Sequence, residues 1–556
     1  MTRRSFYSWG YADQALSSRE REQVRAVWQQ RLGRELRTRT VPRLEDLDLP
    51  APRLSAPSSL AHLFADDRYQ RTLHTYGRST PDAIRMLNGD FSNPPDLVAF
   101  PTSEADITAI LDWCSEACAA VVPYGGGTSV VGGIGPVTDD SYSGVVTVDL
   151  GRLNRVLEID QTSRAVCAQA GIPGPALEDA LRPEGLTLRH YPQSFEFSTL
   201  GGWIATRAAG HYATVLTHID DLVEGLRVVT PAGLVETRRL PGSGAGPSPD
   251  RLFIGSEGAL GIITQAWVRV QKRPTFRSRA SFRFASFEPA VAAVRALVQS
   301  GLSPANCRLL DAREAEKSDA GTSPLILVGF ESADHPMDAW LARATELAGD
   351  YGGELVDPNE GQRQSGDPAG RWRSYFLRAP YVTDAMFAMG LLYETYETAT
   401  TWDRFADLHA RVLAAARSTL ESWDAGSAWV SCRFTHVYPD GPAPYYSVVA
   451  TAPAGSELAM WADLKRAISE AIVAAGGTIT HHHAVGRDHR PWYDTEQPEL
   501  VKTVLRAAKQ KLDPGWTLNP GVLVARTIGL GFGTGYLSIA SSRSAPSAVS
   551  ARRSTE

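Results

Sequence analysis

The feature that most constrains this chain is a run of three glycines that ends a short apolar segment. The segment reads AVVPYGGG at residues 120–127, a pattern typical of a buried strand followed by a loop. Because glycine has no Cβ atom, such a loop turns tightly and lets its backbone approach a ligand. Amide groups and hydroxyls of the loop can form a concave nest for a pyrophosphate. The residues concerned are Pro123, Tyr124, Gly125, Gly126, Gly127, Thr128 and Ser129.

Two common nucleotide-binding motifs are excluded at this loop. No G-x-G-x-x-G opens a helix after the strand, as a Rossmann fingerprint requires, and no Gly-Lys-Ser/Thr marks a P-loop. Taken alone, such a loop is more often a plain turn than a binding site. Two further segments favour binding: a strip of small, hydroxyl and glycine residues at 192–210, and a glycine-punctuated entry into an apolar strand at 255–264. Three such segments in this order are difficult to explain as separate turns.

Around these segments, short apolar runs alternate with helical stretches, which predicts an α+β fold. A chain of 556 residues exceeds what one hydrophobic core usually serves, so we expect at least two domains. We predict strands at 97–101, 144–150 and 164–171. A helix capped by Ser103 should bury one apolar face, formed by Ile107, Ile110 and Leu111.

Several motifs together resemble a family of flavoproteins. GGGTSVVGG, FEFSTLGGWIATRAAG and GSEGALGIIT are similar to the FAD-binding segments of the vanillyl-alcohol-oxidase and p-cresol-methylhydroxylase superfamily. Ser8-Trp9-Gly10, GRSTPD at 77–82, ETATTWDR at 397–404 and HHHAVG at 481–486 resemble its alkyldihydroxyacetonephosphate synthase branch more closely. The flavin motifs specify the superfamily, and the histidine triplet with its flanks specifies the branch.

The resemblance implies a PCMH-type FAD-binding domain of two subdomains and an α+β cap domain for the substrate. The expected ranges are a helical N-terminal segment at 1–65, the FAD-binding domain at 66–273 and the substrate domain at 274–480. A C-terminal segment at 481–525 should bring the histidine triplet near the flavin. The residues from 526 to 556 are rich in Ser, Ala and Arg, which predicts a disordered tail.

The resemblance also implies which residues contact FAD. The flavin is expected to be non-covalent, because Gly127 and Thr128 offer no histidine where some relatives attach it. Besides the glycine loop, the implied contacts are Gln193, Ser194, Phe195, Glu196, Phe197, Ser198, Thr199, Thr206, Arg207, Ala208, Ala209, Glu257, Gly258, Ala259, Leu260, Gly261, Ile262 and Ile263.

Three adjacent histidines, His481, His482 and His483, are candidates for proton transfer. Each imidazole can accept or donate a proton near neutral pH. In an extended segment the first and third rings would share one face and the second would point away. From the residues alone, structural hydrogen bonding, metal binding and catalysis all stay open, although no nearby carboxylate or cysteine pattern supports a metal site. The resemblance implies catalysis, because the family places this triplet beside the flavin.

A catalytic tyrosine and a phosphate-binding arginine are the remaining family features. Tyr445 matches the tyrosine, although a slip of one residue to Tyr446 and a plain packing role both stay open. Thr383 occupies the position of the arginine. A hydroxyl does not replace a planar, permanently charged guanidinium. Either Arg378 or Arg404 binds the phosphate in place of the missing arginine, or the substrate lacks a phosphate.

Composition excludes other classes of protein and partner. The net charge of −6, with no long basic run, argues against nucleic acid. Five cysteines follow no secretory signal, and no apolar run reaches the length of a membrane span, so we predict a cytoplasmic protein. Cys114 and Cys118 are predicted to be small buried side chains of one helix. A lipid substrate would require peripheral contact with a membrane, and the family implies a homodimer.

Three functions are compatible with these residues. The first is an ether-lipid synthase that exchanges the acyl chain of an acyl-dihydroxyacetone phosphate for a long-chain alcohol, without net redox change. The second is an FAD-dependent oxidoreductase of a 2-hydroxy acid or an alcohol. The third is a flavin- or lipid-binding protein without catalysis, which is disfavoured because paired proton-transfer groups beside a flavin are costly for a binder.

Overall fold

A computed structural model of the chain describes residues 3–526 except 137–138, 213, 215–217 and 358–367. Four β-sheets and their flanking helices form this part of the chain. The tail predicted at 526–556 lies outside the described residues, apart from residue 526. No helix among the described residues combines the length and the apolar character needed to cross a membrane.

The N-terminal segment is helical over one stretch, α1 (Ser18–Leu32). The side chain of Ser17 accepts the amide of Glu20, and Gly33 ends the helix in the left-handed conformation. Trp28 and Leu32 are buried against the second half of the chain. The prediction of a helical segment at 1–65 therefore holds for α1 only, because the prolines between residues 42 and 57 favour extended chain. Single 3-10 turns occur at Ala12–Gln14, Leu44–Asp46 and Ala61–Leu63.

The first sheet has the order β1-β2-β4-β3, in which β2, β4 and β3 run parallel. Its elements are β1 (Phe64–Ala65), α2 (Arg68–Leu73), α3 (Thr80–Leu87), β2 (Leu97–Ala99), α4 (Glu104–Glu116), β3 (Ala120–Tyr124) and β4 (Val145–Asp149). The predicted strands here are confirmed, and so is the Ser103 cap of α4 with its buried apolar face. Cys114 is buried as predicted, whereas the prediction for Cys118 is wrong: it follows the end of α4 and is exposed.

The second sheet is antiparallel, with the order β5-β6-β10-β8-β9. Its strands are β5 (Val156–Asp160), β6 (Ala165–Gln169), β8 (Val223–Thr230), β9 (Gly233–Glu236) and β10 (Ile262–Arg269), and β6 confirms the strand predicted at 164–171. Strands β7 (Leu186–Thr187) and β11 (Gln271–Lys272) pair separately. The helices of this region are α5 (Gly174–Leu181), α6 (Leu200–Thr206), α7 (Ile219–Leu222) and α8 (Asp250–Phe253).

The third sheet is antiparallel and has seven strands in the order β15-β12-β14-β13-β17-β18-β16. They are β12 (Phe276–Arg283), β13 (Asn306–Leu310), β14 (Leu325–Ser332), β15 (Glu354–Leu355), β16 (Leu391–Glu397), β17 (Trp429–Val437) and β18 (Pro442–Thr451). One face packs on α9 (Phe287–Gln299), α11 (Asp338–Asp350), α13 (Phe405–Ser422) and α14 (Glu457–Ala474). The other face meets α10 (Ala312–Lys317) and α12 (Pro368–Ala388).

The chain then returns to the first half of the protein. After α15 (Arg490–Glu496) and α16 (Glu499–Leu512), the backbone runs beside β3. The amide of Val121 donates to the carbonyl of Thr517, and the amide of Asn519 donates back to Val121, both at 2.7 Å. This return places the segment that carries the histidines between the first and third sheets.

Candidate active site

The glycine loop after β3 lies so close to the second small-residue segment that side chains would not fit. A Cβ atom on Gly125 would lie 2.4 Å from the Thr199 hydroxyl, and one on Gly126 would lie 1.9 Å from the carbonyl oxygen of Phe197. Gly127 has a φ of +69°, and a Cβ there would lie 2.0 Å from the Tyr124 hydroxyl. The close approach of two backbones therefore requires these glycines.

The same loop offers hydrogen-bond donors that the protein does not use. Within the described residues, the backbone amides of residues 125–129 donate to no acceptor. Arg4 adds a positive charge: its Nη2 donates to the carbonyl of Gly126 at 3.3 Å and its guanidinium lies over the Phe197 ring. Unpaired amides beside a cation fit the pyrophosphate of a dinucleotide such as FAD.

The third flavin-like segment closes on the same loop. Gly258 has a φ of +73°, and a Cβ there would lie 2.8 Å from Cγ of Pro123. The side-chain amide of Asn519 donates to the carbonyls of both Gly133 and Glu257, at 3.0 and 2.7 Å. The structure therefore brings together the predicted segments 123–129, 193–199 and 257–263.

The fourth predicted segment, 206–209, follows α6 and borders the third segment. The amide of Glu257 donates to the carbonyl of Ala205 at 2.9 Å. The Thr206 hydroxyl, however, donates to a carbonyl of its own helix, and Arg207 pairs with Asp220 at 2.6 Å. These two side chains are already engaged within the protein, so their role toward FAD stays a prediction.

The three segments 123–129, 193–199 and 257–263 together form what we call the flavin cradle. A buried carboxylate binds the histidine segment, residues 481–486, to this cradle. Glu257 accepts the amides of Val485 and Gly486, each at 2.9 Å. Burial raises the pKa of Glu257 to about 7, although these amides act in the opposite direction. A Cβ on Gly486 would lie 2.1 Å from the carbonyl of Val131, at the end of the glycine loop. The HHHAVG motif thus packs against two of the flavin-like segments.

A second buried carboxylate organises the histidines themselves. Glu397, at the end of β16, accepts the backbone amides of His481, His482 and His483 at 2.8, 2.9 and 2.8 Å. The Thr480 hydroxyl also donates to it. The triplet therefore forms a bend around the carboxylate, and all three rings have an Nδ1 atom 3.0–4.0 Å from it. The expectation that the second ring points away is wrong, because the segment is not extended.

The electrostatics of this cluster favour neutral rings at His481 and His483 beside an ionised carboxylate, Glu397. Burial lowers the pKa of His481 and that of His483 to about 3. Burial alone would raise the pKa of Glu397, but the nearby His482 and His483 outweigh it and hold that pKa well below its usual range. Near neutral pH both rings are therefore unprotonated, and each presents a nitrogen lone pair that can accept a hydrogen bond.

Further aromatic side chains extend the histidine cluster. The Tyr438 hydroxyl lies 2.8 Å from Nε2 of His481, and the ring of His436 lies 5.2 Å from that of His481. Nitrogen atoms of His436, His481 and His482 lie within 4.8 Å of one another, a spacing that ligands of one metal ion can have. His218, from the first half of the chain, approaches His481 with a ring separation of 6.1 Å. The cluster therefore lies where the two halves of the protein meet.

Strand register places Tyr445 beside these histidines. In the sheet, Tyr445 of β18 pairs with Glu397 of β16 on one side and with Arg433 of β17 on the other. Its ring lies 5.6 Å from that of His483, and the Arg433 guanidinium lies 3.9 Å from its centre. Arg433 is held by Glu314 at 2.8 Å. Burial raises the pKa of Tyr445, which keeps the phenol protonated.

The neighbouring Tyr446 lies on the opposite face of the sheet. Its ring belongs to the core with α13, and its hydroxyl lies 3.2 Å from Nδ1 of His409. Because side chains alternate along a strand, only one of the two tyrosines can face the histidines. The position of Tyr445 supports the assignment without the one-residue slip.

The structure does not bring the two substitute arginines into this cluster. Arg378 is exposed and pairs with Glu20 of α1 at 3.0 Å. Arg404 is also exposed, at the start of α13, beside Gly476. Thr383 lies half-buried on α12, next to Asp384, whose carboxylate accepts the amide of Trp9 at 2.5 Å. The suggestion that Arg378 or Arg404 compensates for Thr383 is therefore not supported by their positions.

Sequence reasoning missed Glu397 and His436. Glu397 begins the ETATTWDR motif, but a single glutamate at a strand end carries no sign that it will bind amides from residues 481–483. His436 lies beside a β-bulge, where the register of β17 and β18 shifts between Phe434 and His436. Such a shift changes which side chains face the site and cannot be read from alternation.

Known protein families match both halves of this chain. The FAD binding domain family matches residues 95–238, and the family of C-terminal domains of FAD linked oxidases matches residues 273–523. Alkyldihydroxyacetonephosphate synthase of Dictyostelium discoideum is 30% identical over 489 residues, which cover 83% of this chain and 78% of that protein. The chain belongs to the alkyldihydroxyacetonephosphate synthase family. It is an FAD-binding protein, as its motifs predict.

Solved structures agree with this family and its fold. An alkyldihydroxyacetonephosphate synthase structure superposes with a TM-score of 0.77 at 25% identity, covering 93% of this chain and 98% of that one. p-Cresol methylhydroxylase has a TM-score of 0.64 at 14% identity, covering 84% of this chain and 95% of its own, and shows the fold alone. The predicted α+β architecture, with a PCMH-type FAD-binding domain and a second domain, is confirmed.

Replacing Gly126 by alanine tests the cradle. The new Cβ would collide with the Phe197 carbonyl and force the two segments apart. We expect FAD binding to weaken by about 100-fold or more, since two lost phosphate hydrogen bonds of about 1.5–3 kcal/mol each have that effect. Flavin absorbance per protein, with circular dichroism as a check of folding, measures it.

Gly244→Ala is the matched control, because a Cβ atom at that position would have no other atom within 4 Å and its φ lies outside the left-handed region. It should retain flavin like the parent protein. A folded Gly126→Ala protein with full flavin content would contradict the assignment of the cradle.

Proposed function

We propose that the protein is an FAD-dependent alkylglycerone-phosphate synthase that exchanges the acyl chain of an acyl-dihydroxyacetone phosphate for a fatty alcohol. One observation carries the proposal: Glu257 and Val131 hold the HHHAVG segment against the flavin cradle, and Glu397 turns its histidines toward Tyr445. The Dictyostelium relative, named for this activity, supports the same function.

FAD would be held without a covalent bond. The amides of residues 125–129 and the Arg4 guanidinium would bind its pyrophosphate, and the loop contains no histidine that could attach the ring. When bound, the flavin supplies an electron-accepting ring beside the substrate carbon whose oxygen substituent is exchanged.

Proton transfer would fall to His483, His481 and Tyr445. The incoming alcohol must lose its hydroxyl proton, and an imidazole of His481 or His483 would accept it. Because burial disfavours the charged ring, this step needs a negative charge nearby. Glu397, 4.0 Å from Nδ1 of His483, then offsets the positive charge on the ring. The ring of Tyr445 lies 5.6 Å from that of His483. Its protonated phenol can donate a hydrogen bond to a substrate oxygen.

The alternative is an FAD-dependent oxidoreductase of a 2-hydroxy acid or an alcohol. Thr383 favours it, because the family's phosphate-binding arginine is replaced there. The same histidines would then accept the proton of the substrate hydroxyl while the flavin is reduced.

A direct test incubates the FAD-loaded protein with palmitoyl-dihydroxyacetone phosphate and labelled hexadecanol. The proposal predicts a labelled ether product and flavin that stays oxidised through many turnovers. A parallel sample receives 2-hydroxy acids without oxygen. Loss of the flavin's visible absorbance in that sample, with no ether product in the first, would replace the synthase by the oxidoreductase.

The two adjacent tyrosines provide a matched pair of variants. Tyr445→Phe should lower kcat in this assay by about 100-fold or more while flavin is retained, because general acid–base groups contribute that much. Tyr446→Phe removes the hydroxyl on the opposite face. It should leave kcat close to that of the parent protein and cost about 1 kcal/mol of stability. A large loss of kcat in Tyr446→Phe, with kcat unchanged in Tyr445→Phe, would assign the catalytic role to Tyr446.

We also propose that α16 supports peripheral contact with a membrane. Leu500 and Val504 are 80% and 69% exposed, and Val501 lies beside them on the same helix. The helix also carries lysines and an arginine, a composition suited to an anionic membrane surface.

A double change of Leu500 and Val504 to aspartate should reduce co-sedimentation with phosphatidylserine-containing vesicles by about 10-fold or more, since each apolar side chain contributes about 1.5–3 kcal/mol when buried. Leu355→Asp changes another well-exposed apolar side chain elsewhere and serves as the control. Equal loss in the two proteins, or none in either, would contradict contact through α16.

A further inference from the structure

We propose that Arg308 binds the phosphate of the substrate, in a chain where Thr383 stands at the position of the family's phosphate-binding arginine. This assignment rests on the proposed function, because it assumes a phosphorylated three-carbon substrate. It explains how the protein can recognise a phosphate although Arg378 and Arg404 lie at the surface.

Arg308 lies on the face of the third sheet that carries the active-site cluster. Its neighbours along β13, Cys307 and Leu309, are buried in the core with the helices of the other face. Side chains alternate along the strand, so Arg308 faces away from that core. In the antiparallel pairing Leu309 lies opposite Phe434 and Leu310 opposite Arg433, so Arg308 lies beside the stretch of β17 that follows Phe434.

The charge of Arg308 has no counter-ion in the described part of the chain. The side chain is only 1% exposed, and no described carboxylate forms an ion pair with it. By contrast, the buried Arg433 pairs with Glu314, and the buried Arg189 pairs with Glu331. Burial, followed by the field of Arg433, lowers the pKa of Arg308 to about 9, so the group is still charged at neutral pH. An isolated buried charge is costly, which points to an anion that completes it.

The guanidinium is held in place but keeps free donors. Its Nη2 lies 3.1 Å from Nδ1 of His211 and donates to the carbonyl of the same residue at 3.1 Å. Its Nε and Nη1 have no acceptor among the described residues. The rings of Trp372 and Phe376 lie 4.4 and 5.7 Å from its central carbon and fix its plane. The two free donors lie on opposite edges of this fixed plane, with Nη2 between them, so an anion on either edge would accept a charge-assisted hydrogen bond from Nε or from Nη1.

Among the described residues, the surroundings of Arg308 add hydrogen-bond donors and no carboxylate that pairs with it. Nε1 of Trp372 and Nδ1 of His436 are also buried without a partner in the described part of the chain. The field of Arg308 helps to lower the pKa of His436, after burial, His481 and His482, so the guanidinium lies within electrostatic range of the histidine cluster. An anion on Arg308 would therefore lie next to the groups that transfer protons. This arrangement fits a short molecule with a phosphate at one end and its reacting carbon near the histidines.

Binding of dihydroxyacetone phosphate to the FAD-loaded protein tests this role by calorimetry, with dihydroxyacetone as the phosphate-free probe. Arg308→Met should weaken binding of the phosphate ester by roughly 10- to 100-fold, the effect of losing one charge-assisted hydrogen bond. Binding of dihydroxyacetone should not change. In the ether assay, KM for the acyl substrate should rise more than kcat falls.

Arg308→Lys keeps the charge without the planar fork and guards against loss of folding in the methionine variant. It should retain flavin and bind the phosphate ester with intermediate affinity. Arg404→Met and Arg378→Met change surface arginines and should bind like the parent protein. Unchanged binding in both Arg308 variants, or weaker binding only in the surface variants, would overturn the proposal.

These measurements separate the two proposals. Phosphate-ester binding that depends on Arg308, with no ether product from the parent protein, would support the anion site and contradict the synthase function. Ether synthesis with unchanged KM in a flavin-loaded Arg308→Met protein would support the synthase function and contradict phosphate binding by Arg308.

Discussion

The active-site geometry depends on one buried carboxylate, Glu397, which accepts the amides of three successive histidines. Three adjacent imidazoles would scatter over two faces of an extended segment. Around a common acceptor they converge, and their burial keeps His481 and His483 neutral while the carboxylate stays ionised. Because Glu397 also pairs with Tyr445 across the sheet, one residue sets the positions of both kinds of side chain that we propose for proton transfer.

Glu257 has a similar structural role beside the expected cofactor site, because it also accepts backbone amides of the histidine segment. It belongs to the third flavin-like segment, and its carboxylate binds the two amides that follow Ala484. The glycine loop, the 193–199 segment and the histidine segment therefore meet through backbone contacts that leave no room for side chains. A cradle built of backbone amides tolerates few substitutions at its glycines, but it is independent of which substrate the other domain binds. That independence is consistent with one FAD-binding fold being shared by synthases and oxidoreductases.

Local sequence predicted much of this structure. The strands at 97–101, 144–150 and 164–171 and the capped helix α4 follow from apolar runs and a serine cap, which are local signals. The three small-residue segments stand out by their glycine content, since close backbone approach has few other solutions, and their resemblance to a flavoprotein family assigns them to FAD. The N-terminal segment was overestimated as helical because its prolines break the pattern after α1.

Long-range contacts explain what the sequence could not show. Glu397 and the triplet are separated by more than eighty residues, and nothing near Glu397 predicts its partners. The choice between Tyr445 and Tyr446 needed the orientation of a strand, which alternation alone leaves undetermined. Arg308 looks like any arginine in a strand until its lack of a carboxylate partner among the described residues is seen.

The central claim is that one flavin joins the backbone cradle of the first half of the chain to the histidine cluster of the second. A crystal structure of the FAD-loaded protein tests it most directly. The account predicts the pyrophosphate on the amides of residues 125–129 and the flavin ring beside the histidine triplet and Tyr445. Density for the ring on the other face of the seven-stranded sheet, or away from residues 481–483, would contradict it.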